Sequence, residues 1–498
     1  MTYGTVGSRA PAHSAVMTQT SSSTDARRST LDLAPLRAVF RGEILTADDG
    51  ARYDEARAVF NGIFDRRPAV IARAGSVDDV AAAIDFARAN HGLPLAVRGG
   101  GHSVAGYSTV DDGMVLDLGP MKQISVDPET RRARVQAGVT WGELDRATQE
   151  YGLATTGGRM TTTGVAGFTL GSGSGWLERL HGLACDNLVS AEVVLADGRM
   201  VRASQSEHPD LFWGLKGGGG NFGVVTEFEF RLHPVGPVLT GGLLLHPRDR
   251  APEVCRFFRD FMRVAPREVG AGLIFLHAPP APFVPTDLQG RPACAIIAGY
   301  FGPVEEGAAV LAPLKAFAAP SVDRIGPIPY VEFQALTDPG NPPGRRNYWR
   351  SEVLPDLSDD AIDTLIACAA TVTSPASVLV MAPVGGAVGD VAEGATPISG
   401  RSAKWLYHCY GIWTEGDDDR HKRWVRATEQ AMRPFTMDGI ALNFVSDITE
   451  DRVRRTFGPA KYQQLVALKN TYDPENVFRL NQNLPSTTSE DGGVLNSR

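Results

Sequence analysis

The feature of the sequence that most constrains its fold is a set of three glycine-rich segments in the first half of the chain. They are residues 99–101, residues 164–175 (GVAGFTLGSGSG) and residues 217–223 (GGGGNFG). Because glycine lacks a Cβ atom, backbone N–H groups in such segments can converge on phosphate oxygens and bind an anion without any lysine. One run alone is equally consistent with a tight turn. Three runs together favour a cofactor that contains a pyrophosphate.

Apolar periodicity and turn residues around these segments predict an α+β fold of more than one domain. A strand at 68–74, a helix at 77–90 that begins with a Ser76/Asp79 capping box, and a strand at 93–98 lead directly into Gly99. The other predicted elements are strands at 113–118, 131–138, 239–245 and 294–301, helices at 140–151, 250–264, 417–433 and 456–470, and a hairpin at 191–204 that turns on Asp197-Gly198.

Several nucleotide and hydrolase motifs are excluded by their context. The run from Gly218 to Gly223 formally fits the dinucleotide pattern G-x-G-x-x-G, but it follows an apparent helix and precedes a strand, which is the reverse of a Rossmann site. The sequence contains neither a Walker Gly-Lys-Ser/Thr nor a Gly-x-Ser-x-Gly elbow. Phosphoryl transfer and serine hydrolysis are therefore not predicted.

Charge and cysteine content point to a cytoplasmic protein with small-molecule partners. The chain has 49 Lys+Arg and 57 Asp+Glu, a net charge of −8, without the basic patch of a nucleic-acid or membrane binder. Its five cysteines are dispersed and form no Cys-x-x-Cys pair, which argues against disulfides and a zinc site. Asp417-Asp418-Asp419 with His421 is interpreted as a solvated helix N-terminus rather than a metal site.

Four long motifs resemble the FAD-binding domain of the vanillyl-alcohol oxidase superfamily. They are VRGGGHSVAGYS at 97–108, GVAGFTLGSGSGWL at 164–177, GLACDNLVSAEVVLADG at 182–198 and DLFWGLKGGGGNFGVVTEF at 210–228. LKNTYDPENVFRLNQNLP at 468–485 resembles the C-terminal segment of berberine-bridge-enzyme-like oxidases. The resemblance implies a split FAD-binding domain with a second, antiparallel-sheet substrate domain. The expected division is a disordered tail at 1–32, an FAD-binding domain at 33–236, a substrate domain at 237–437, a returning C-terminal segment at 438–486 and a mobile tail at 487–498.

In that family the histidine of the Gly-Gly-His motif is bonded to the 8α-methyl group of FAD, and the matching residue is His102. Many relatives add a cysteinyl bond to the flavin, but the matching position is Met160, whose thioether cannot form it. The resemblance therefore implies one covalent bond. The residues expected to contact FAD are Arg98, Gly99, Gly100, Gly101, His102, Ser103, Gly106, Tyr107, Thr163, Gly164, Gly167, Gly171, Gly173, Gly175, Asn221, Gly223, Val225, Asn481 and Asn483.

The catalytic base of some relatives is the first tyrosine of a Tyr-x-Asn-Tyr segment, which reads Ala441-Leu442-Asn443-Phe444 in this chain. Other relatives use a polar side chain five residues before a tryptophan, and counting back from Trp413 reaches His408. Strand alternation places His408 and Tyr410 on one face and Tyr407 on the other. The candidate catalytic residues are accordingly His408, Tyr410 and Tyr407, and the alternative for His408 is an ordinary hydrogen-bonded residue of the sheet.

The resemblance implies an oxidase that transfers hydride from an alcohol or amine carbon of a sugar, alkaloid or aromatic natural product to flavin, and then reduces O2 to H2O2. Thr163 occupies the position thought to admit or exclude dioxygen, and its small size favours an open path. The alternatives are a dehydrogenase of the same fold with another electron acceptor, and a flavin-binding protein that has lost turnover.

Overall fold

The structure is a computed structural model that describes residues 31–439 and 442–486. Of the expected terminal tails, residues 1–30 and 487–498 lie outside the described residues, as does Ala441. None of the helices in the described ranges combines the length and apolar character that a transmembrane helix requires. All five cysteines are free thiols.

A four-stranded sheet with the order β1-β2-β4-β3 begins the fold. Its strands are β1 (Glu43–Leu45), β2 (Val70–Arg73), β3 (Leu95–Arg98) and β4 (Met114–Asp117). Strands β2 and β3 both pair with β4 in parallel. Helix α3 (Val77–Ala89) connects β2 to β3, and the Ser76 side chain accepts a hydrogen bond from the Asp79 N–H, as predicted. The Asp79 carboxylate accepts from the Gly75 N–H rather than from the Ser76 N–H, so only the Ser76 half of the predicted capping box is formed. Strand β3 ends where the first glycine-rich segment begins.

A second sheet of five antiparallel strands has the order β5-β6-β10-β8-β9. Its strands are β5 (Ile124–Asp127), β6 (Arg132–Gln136), β8 (Leu188–Val194), β9 (Met200–Ser204) and β10 (Val224–Arg231). One large core is formed by its apolar side chains, including Val135, Phe228 and Phe230, together with those of the four-stranded sheet. The predicted hairpin on Asp197-Gly198 is β8 paired with β9.

The third sheet has eight strands, which follow the order β15-β12-β14-β13-β18-β19-β17, with β16 also paired to β12. They are β12 (Val238–Pro247), β13 (Val269–His277), β14 (Pro292–Tyr300), β15 (Val322–Asp323), β16 (Gly326–Pro329), β17 (Arg346–Leu354), β18 (Val378–Pro383) and β19 (Trp405–Trp413). One face packs against four helices: α8 (Ala251–Val264), α9 (Val304–Ala316), α11 (Asp359–Ala370) and α13 (Asp418–Met432). We call the opposite face the inner face.

The remaining elements connect and close these layers. They are α1 (Ala34–Val39), α2 (Ala51–Arg57), α4 (Trp141–Gln149), α5 (Val165–Leu170), α6 (Glu178–His181), α7 (Pro209–Leu215), α10 (Tyr330–Gln334), α12 (Ala387–Asp390), α14 (Glu450–Tyr472), β7 (Leu153–Ala154) and β11 (His233–Pro234). Helix α14 begins before the predicted 456–470 and contains a non-helical residue, Gly458 (φ 73°), just before Pro459. At the start of α13, Asp417 accepts a hydrogen bond from the Asp419 N–H, in agreement with the helix N-terminus predicted there.

Candidate active site

A single cavity of about 1140 Å³ separates the first two sheets from the inner face of the third. The three glycine-rich segments line one side of it, and strands β12, β13, β14, β18 and β19 line the other. Sites for one drug-sized ligand usually occupy roughly 300–1,000 Å³. This cavity is therefore larger than a typical site for one drug-sized ligand.

Two of the glycine-rich segments meet at Gly100 and Gly164. A Cβ atom on Gly100 would lie 2.4 Å from the backbone nitrogen of Gly164, and a Cβ atom on Gly164 would lie 2.4 Å from that of Gly100. Any side chain at either position would force the two segments apart. The two glycines therefore allow the first two glycine-rich segments to pack backbone against backbone where they line the cavity.

His102 follows directly and lines the cavity. Its Nε2 is hydrogen-bonded to Thr162 Oγ1 at 2.8 Å, and its ring stacks on Phe60 with 4.1 Å between centroids. Its Nδ1 lies 3.5 Å from Thr163 Oγ1, at the limit of a hydrogen bond. Desolvation lowers the pKa of His102 to about 4, so the ring is neutral at pH 7 and one of its two nitrogens carries a lone pair.

The third glycine-rich segment is held by the C-terminal segment. Asn221 donates to Gly218 O at 2.9 Å and accepts from the Leu484 N–H at 3.1 Å. Lys469 Nζ is fully buried and donates to Asn221 O, Phe478 O and Asp473 Oδ2. These bonds bring residues 478–484 against residues 218–221, so the end of the chain completes the cavity wall.

Of the residues expected to contact FAD, the structure places most at the cavity. Those that line it are Gly99, Gly100, Gly101, His102, Ser103, Tyr107, Thr163, Gly164, Gly167, Gly171, Gly223, Val225 and Asn481. Those that do not line it are Arg98, Gly106, Gly173, Gly175, Asn221 and Asn483. Arg98, for example, forms a buried ion pair with Asp117 at 3.0 Å, which supports the end of β3 behind the first glycine-rich segment.

His408 and Tyr410 line the cavity from strand β19, whereas Tyr407 lies in the core between the sheet and its helices. This matches the predicted alternation, and it leaves Tyr407 on the far side of the sheet from the cavity. Both ring nitrogens of His408 are buried without a hydrogen-bond partner in the described residues. Its ring stacks on Tyr410 with 5.2 Å between centroids and packs at 4.5 Å against Phe444.

Electrostatics keep both side chains uncharged. Burial, with a smaller contribution from the Arg159 guanidinium, lowers the pKa of His408 well below 6.5. Burial raises the pKa of Tyr410. At neutral pH the cavity therefore presents a neutral imidazole, which can accept a proton, beside a protonated phenol, which can donate a hydrogen bond.

Sequence reasoning missed Arg159, Trp176 and Trp349, which also line the cavity. Arg159 donates to Ser174 O and Gly175 O, pairs with buried Glu178 at 3.2 Å, and lies 4.8 Å over the Trp176 ring. Arg159 stands in a short loop without any periodic pattern, so no signal in the sequence distinguishes it. Only the approach of residues 174–178 reveals that its charge is held at the cavity.

The observed walls fit FAD. At Gly167 and Gly220, which line the cavity, a Cβ atom would meet no described protein atom within 4 Å, so these glycines leave open space beside the backbone. Asn481 Oδ1 is buried without a hydrogen-bond partner in the described part of the chain, so it can accept a bond from a polar group of the cofactor. Gly99–Gly101, Gly164, Gly223 and Asn481 are the cavity-lining residues that would hold a pyrophosphate-containing flavin.

Comparisons with known proteins agree with this geometry. The profile of a family described as "FAD binding domain" matches residues 68–204, and one described as "Berberine and berberine like" matches residues 442–485. An FAD-linked oxidoreductase of Bacillus subtilis is 31% identical over 456 residues, which cover 89% of this chain and 97% of the relative. The (R)-6-hydroxynicotine oxidase of Paenarthrobacter nicotinovorans is 31% identical over 463 residues, which cover 89% of this chain and 96% of that protein.

Solved structures agree as well. The crystal structure of 6-hydroxy-D-nicotine oxidase from Arthrobacter nicotinovorans aligns with a TM-score of 0.80 and 28% identity, covering 91% of this chain and 99% of that chain. Glucooligosaccharide oxidase from Acremonium strictum aligns with a TM-score of 0.79 and 25% identity, covering 91% of this chain and 99% of that one. The predicted family, fold class and FAD cofactor are confirmed. The chain belongs to the berberine-bridge-enzyme-like FAD-linked oxidoreductases of the vanillyl-alcohol oxidase superfamily.

Proposed function

We propose that the protein is an oxidase that removes hydride from the alcohol or amine carbon of a small organic substrate and reduces O2 to H2O2. The observation that carries this proposal is His408, a neutral imidazole whose two nitrogens have no partner in the described residues and which lines the same cavity as the glycine-rich segments. A buried polar group without a partner is costly, which is a reason to expect that a ligand satisfies it. FAD, when bound, supplies the hydride acceptor and the route for electrons to dioxygen.

In the proposed reaction His408 accepts the proton of the substrate hydroxyl or amine as hydride leaves the adjacent carbon. Tyr410, stacked on His408, stays protonated and donates a hydrogen bond to the same substrate oxygen or nitrogen. Arg159 is held by Glu178 and two backbone carbonyls, so its charge stays fixed near both rings. That fixed positive charge disfavours a lasting imidazolium, so His408 releases the proton, which is consumed when O2 is reduced to H2O2.

We infer that His102 forms a single covalent bond to the flavin through Nδ1. The hydrogen bond between Nε2 and Thr162 Oγ1 orients the ring, and desolvation keeps it neutral. In the tautomer in which Nε2 donates this bond, Nδ1 has the lone pair for the attack. Met160 packs near Phe60 and Trp349 and contributes contact only. We further infer that residues 33–236 and 438–486 hold the cofactor and residues 237–437 cover the substrate.

Two measurements on the purified protein test the proposal: aerobic peroxide formation, and anaerobic flavin reduction, with a library of alcohols and amines. We expect both signals with the same compound, and loss of both in His408→Ala but not in the exposed control His91→Ala. Flavin reduction without peroxide would identify a dehydrogenase with another acceptor. No reduction by any compound would favour a flavin-binding protein without turnover.

Oxidase activity is favoured over dehydrogenase activity by Thr163, which lines the cavity beside Gly164 and is smaller than leucine or isoleucine. The name of (R)-6-hydroxynicotine oxidase, a relative matched over nearly its whole length, also supports an oxidase. Dioxygen and a small molecule are therefore the proposed partners.

A further inference from the structure

The inner face of the eight-stranded sheet is almost entirely apolar. Period-two alternation sends one set of side chains from each strand to the cavity and the other set to the core. On β13, Ile274 and Leu276 line the cavity while Leu273 and Phe275 lie in the core. On β18, Val378 and Val380 line the cavity while Leu379 and Met381 lie in the core. Of the side chains on β13 and β18 that line the cavity, only His277, at the end of β13, is polar.

Strand register aligns this apolar surface with the proposed base. His408 pairs with Val380, Val380 with Ile274, Ile274 with Ala295, and Ala295 with Leu245. These residues form one row across β19, β18, β13, β14 and β12, in which Val380 and Ile274 are half-buried and Ala295 and Leu245 are buried. Because neighbouring strands lie about 4.8 Å apart, the row extends about 19 Å from His408. It contains no hydrogen-bonding side chain beyond His408 itself.

The neighbouring row of residues on this face is also apolar. Ile297 pairs with Leu243 and with Gly272, and all three line the cavity. A Cβ atom on Gly272 would meet nothing closer than 3.8 Å, so the surface is low and open at that point. The charged side chains Arg159, Arg324, Glu332 and Arg345 also line the cavity, but none of them belongs to the strands that form these two rows.

We propose that the substrate is an elongated, largely apolar molecule that places its hydroxyl or amine at His408 and its body along the row from Val380 to Leu245. This proposal rests on the proposed function, since the position of the reacting group is taken from His408. It differs from the oligosaccharide in the name of one relative. A sugar chain on this surface would bury hydroxyl groups that find no partner, and each would lower its affinity by roughly fivefold to a hundredfold.

The test measures binding rather than turnover. The flavin-loaded protein is titrated calorimetrically with butan-1-ol, hexan-1-ol, octan-1-ol and decan-1-ol, and with maltotriose as the polar probe. Each methylene that is buried on the row should tighten binding by about fourfold, and the trend should continue to decan-1-ol. Maltotriose should bind more weakly than decan-1-ol.

Ile274→Trp blocks the row about 10 Å from His408, two strand spacings away. We expect this variant to change the Kd of butan-1-ol by less than twofold and to weaken decan-1-ol by at least tenfold. Ile274→Asn, which adds polarity without bulk, should also weaken decan-1-ol while sparing butan-1-ol. Val238→Trp, at the exposed end of β12, is the matched control and should change neither.

A trend that ends at hexan-1-ol in the wild type, or tighter binding of maltotriose, would overturn the inference. So would equal affinity for decan-1-ol in the wild type and both Ile274 variants. Failure of the proposed function gives a different result. In that case the chain-length trend is present, but no alcohol or amine reduces the flavin.

Discussion

Replacement of Lys469 by methionine is expected to open the C-terminal wall of the FAD cavity. The ammonium group donates to Asp473 Oδ2 at 2.6 Å and to the carbonyl oxygens of Asn221 and Phe478 at 3.0 Å each. Both Lys469 and Asp473 have 0% exposed side chains, so no water replaces these bonds. Lys469→Met therefore leaves a buried carboxylate without its counter-charge and two carbonyls without this donor.

The magnitude follows from those contacts. Removing one partner of a buried ion pair costs about 3–5 kcal/mol. The Asn221 carbonyl adds about 1 kcal/mol, the lower end for an unsatisfied buried group. The Phe478 carbonyl adds little because Asn481 Nδ2 also donates to it, at 2.8 Å. We expect the free energy of local opening of residues 478–484 and 218–221 to fall by a total of about 4–6 kcal/mol.

Hydrogen–deuterium exchange read by mass spectrometry measures this local loss. A loss of 4 kcal/mol corresponds to roughly a thousandfold faster exchange of protected amides, since about 1.4 kcal/mol is a factor of ten. Lys422→Met, which removes a partly exposed pair with Asp418 at 3.9 Å, is the control and should cost no more than about 1 kcal/mol.

A double variant, Lys469→Met with Asp473→Asn, should lose less than the sum of the two single losses, because it leaves no unpaired buried charge. Two results would refute the conclusion that the Lys469–Asp473 pair holds the cavity wall in place. One is unchanged hydrogen–deuterium exchange at residues 478–484 in Lys469→Met, and the other is strictly additive free-energy losses in the double variant.

Other predictions concern the flavin and the base. Acid-precipitated wild type should keep its yellow colour and His102→Ala should release it, while a change of attachment in Met160→Ala would show that the matching of that loop is wrong. His408→Ala should bind FAD yet lose about a hundredfold or more in anaerobic flavin reduction, the scale of general-base loss, and a wild-type rate would move the role to Tyr410. Because burial lowers the pKa of His408, its neutral, active form persists below pH 6.5, so kcat/KM should stay level through that pH and fall only in more acidic buffer, whereas a decline centred on 6.5 would contradict the burial argument. Thr163→Leu should slow reoxidation of the reduced protein by dioxygen, and equal rates in the two proteins would remove Thr163 from the oxygen path.

The sequence predicted best where the determinant is local. The Ser76 cap and the crossover from β2 to β3 need only neighbouring residues, and the structure has both. The glycine-rich segments predict that the backbone makes a close contact at these positions. The residue that Gly100 contacts is Gly164, which is far along the chain. The purpose of these glycines could therefore be inferred from the sequence, whereas their partners could not.

The sequence also could not predict which side chains of strand β19 reach the cavity. Alternation along β19 separates His408 and Tyr410 from Tyr407, but it does not say which set reaches the cavity, because both faces of this sheet are covered. The answer depends on helices α8, α9, α11 and α13, which take the Tyr407 face and leave the His408 face to the cavity. Burial is the main reason that the pKa of His408 is lowered, and Arg159 adds to this effect from a loop in another part of the chain. No pattern near His408 could reveal either the burial or the nearby charge. A neutral substitution of Arg159 should therefore raise the pKa of His408 without a change in strand β19.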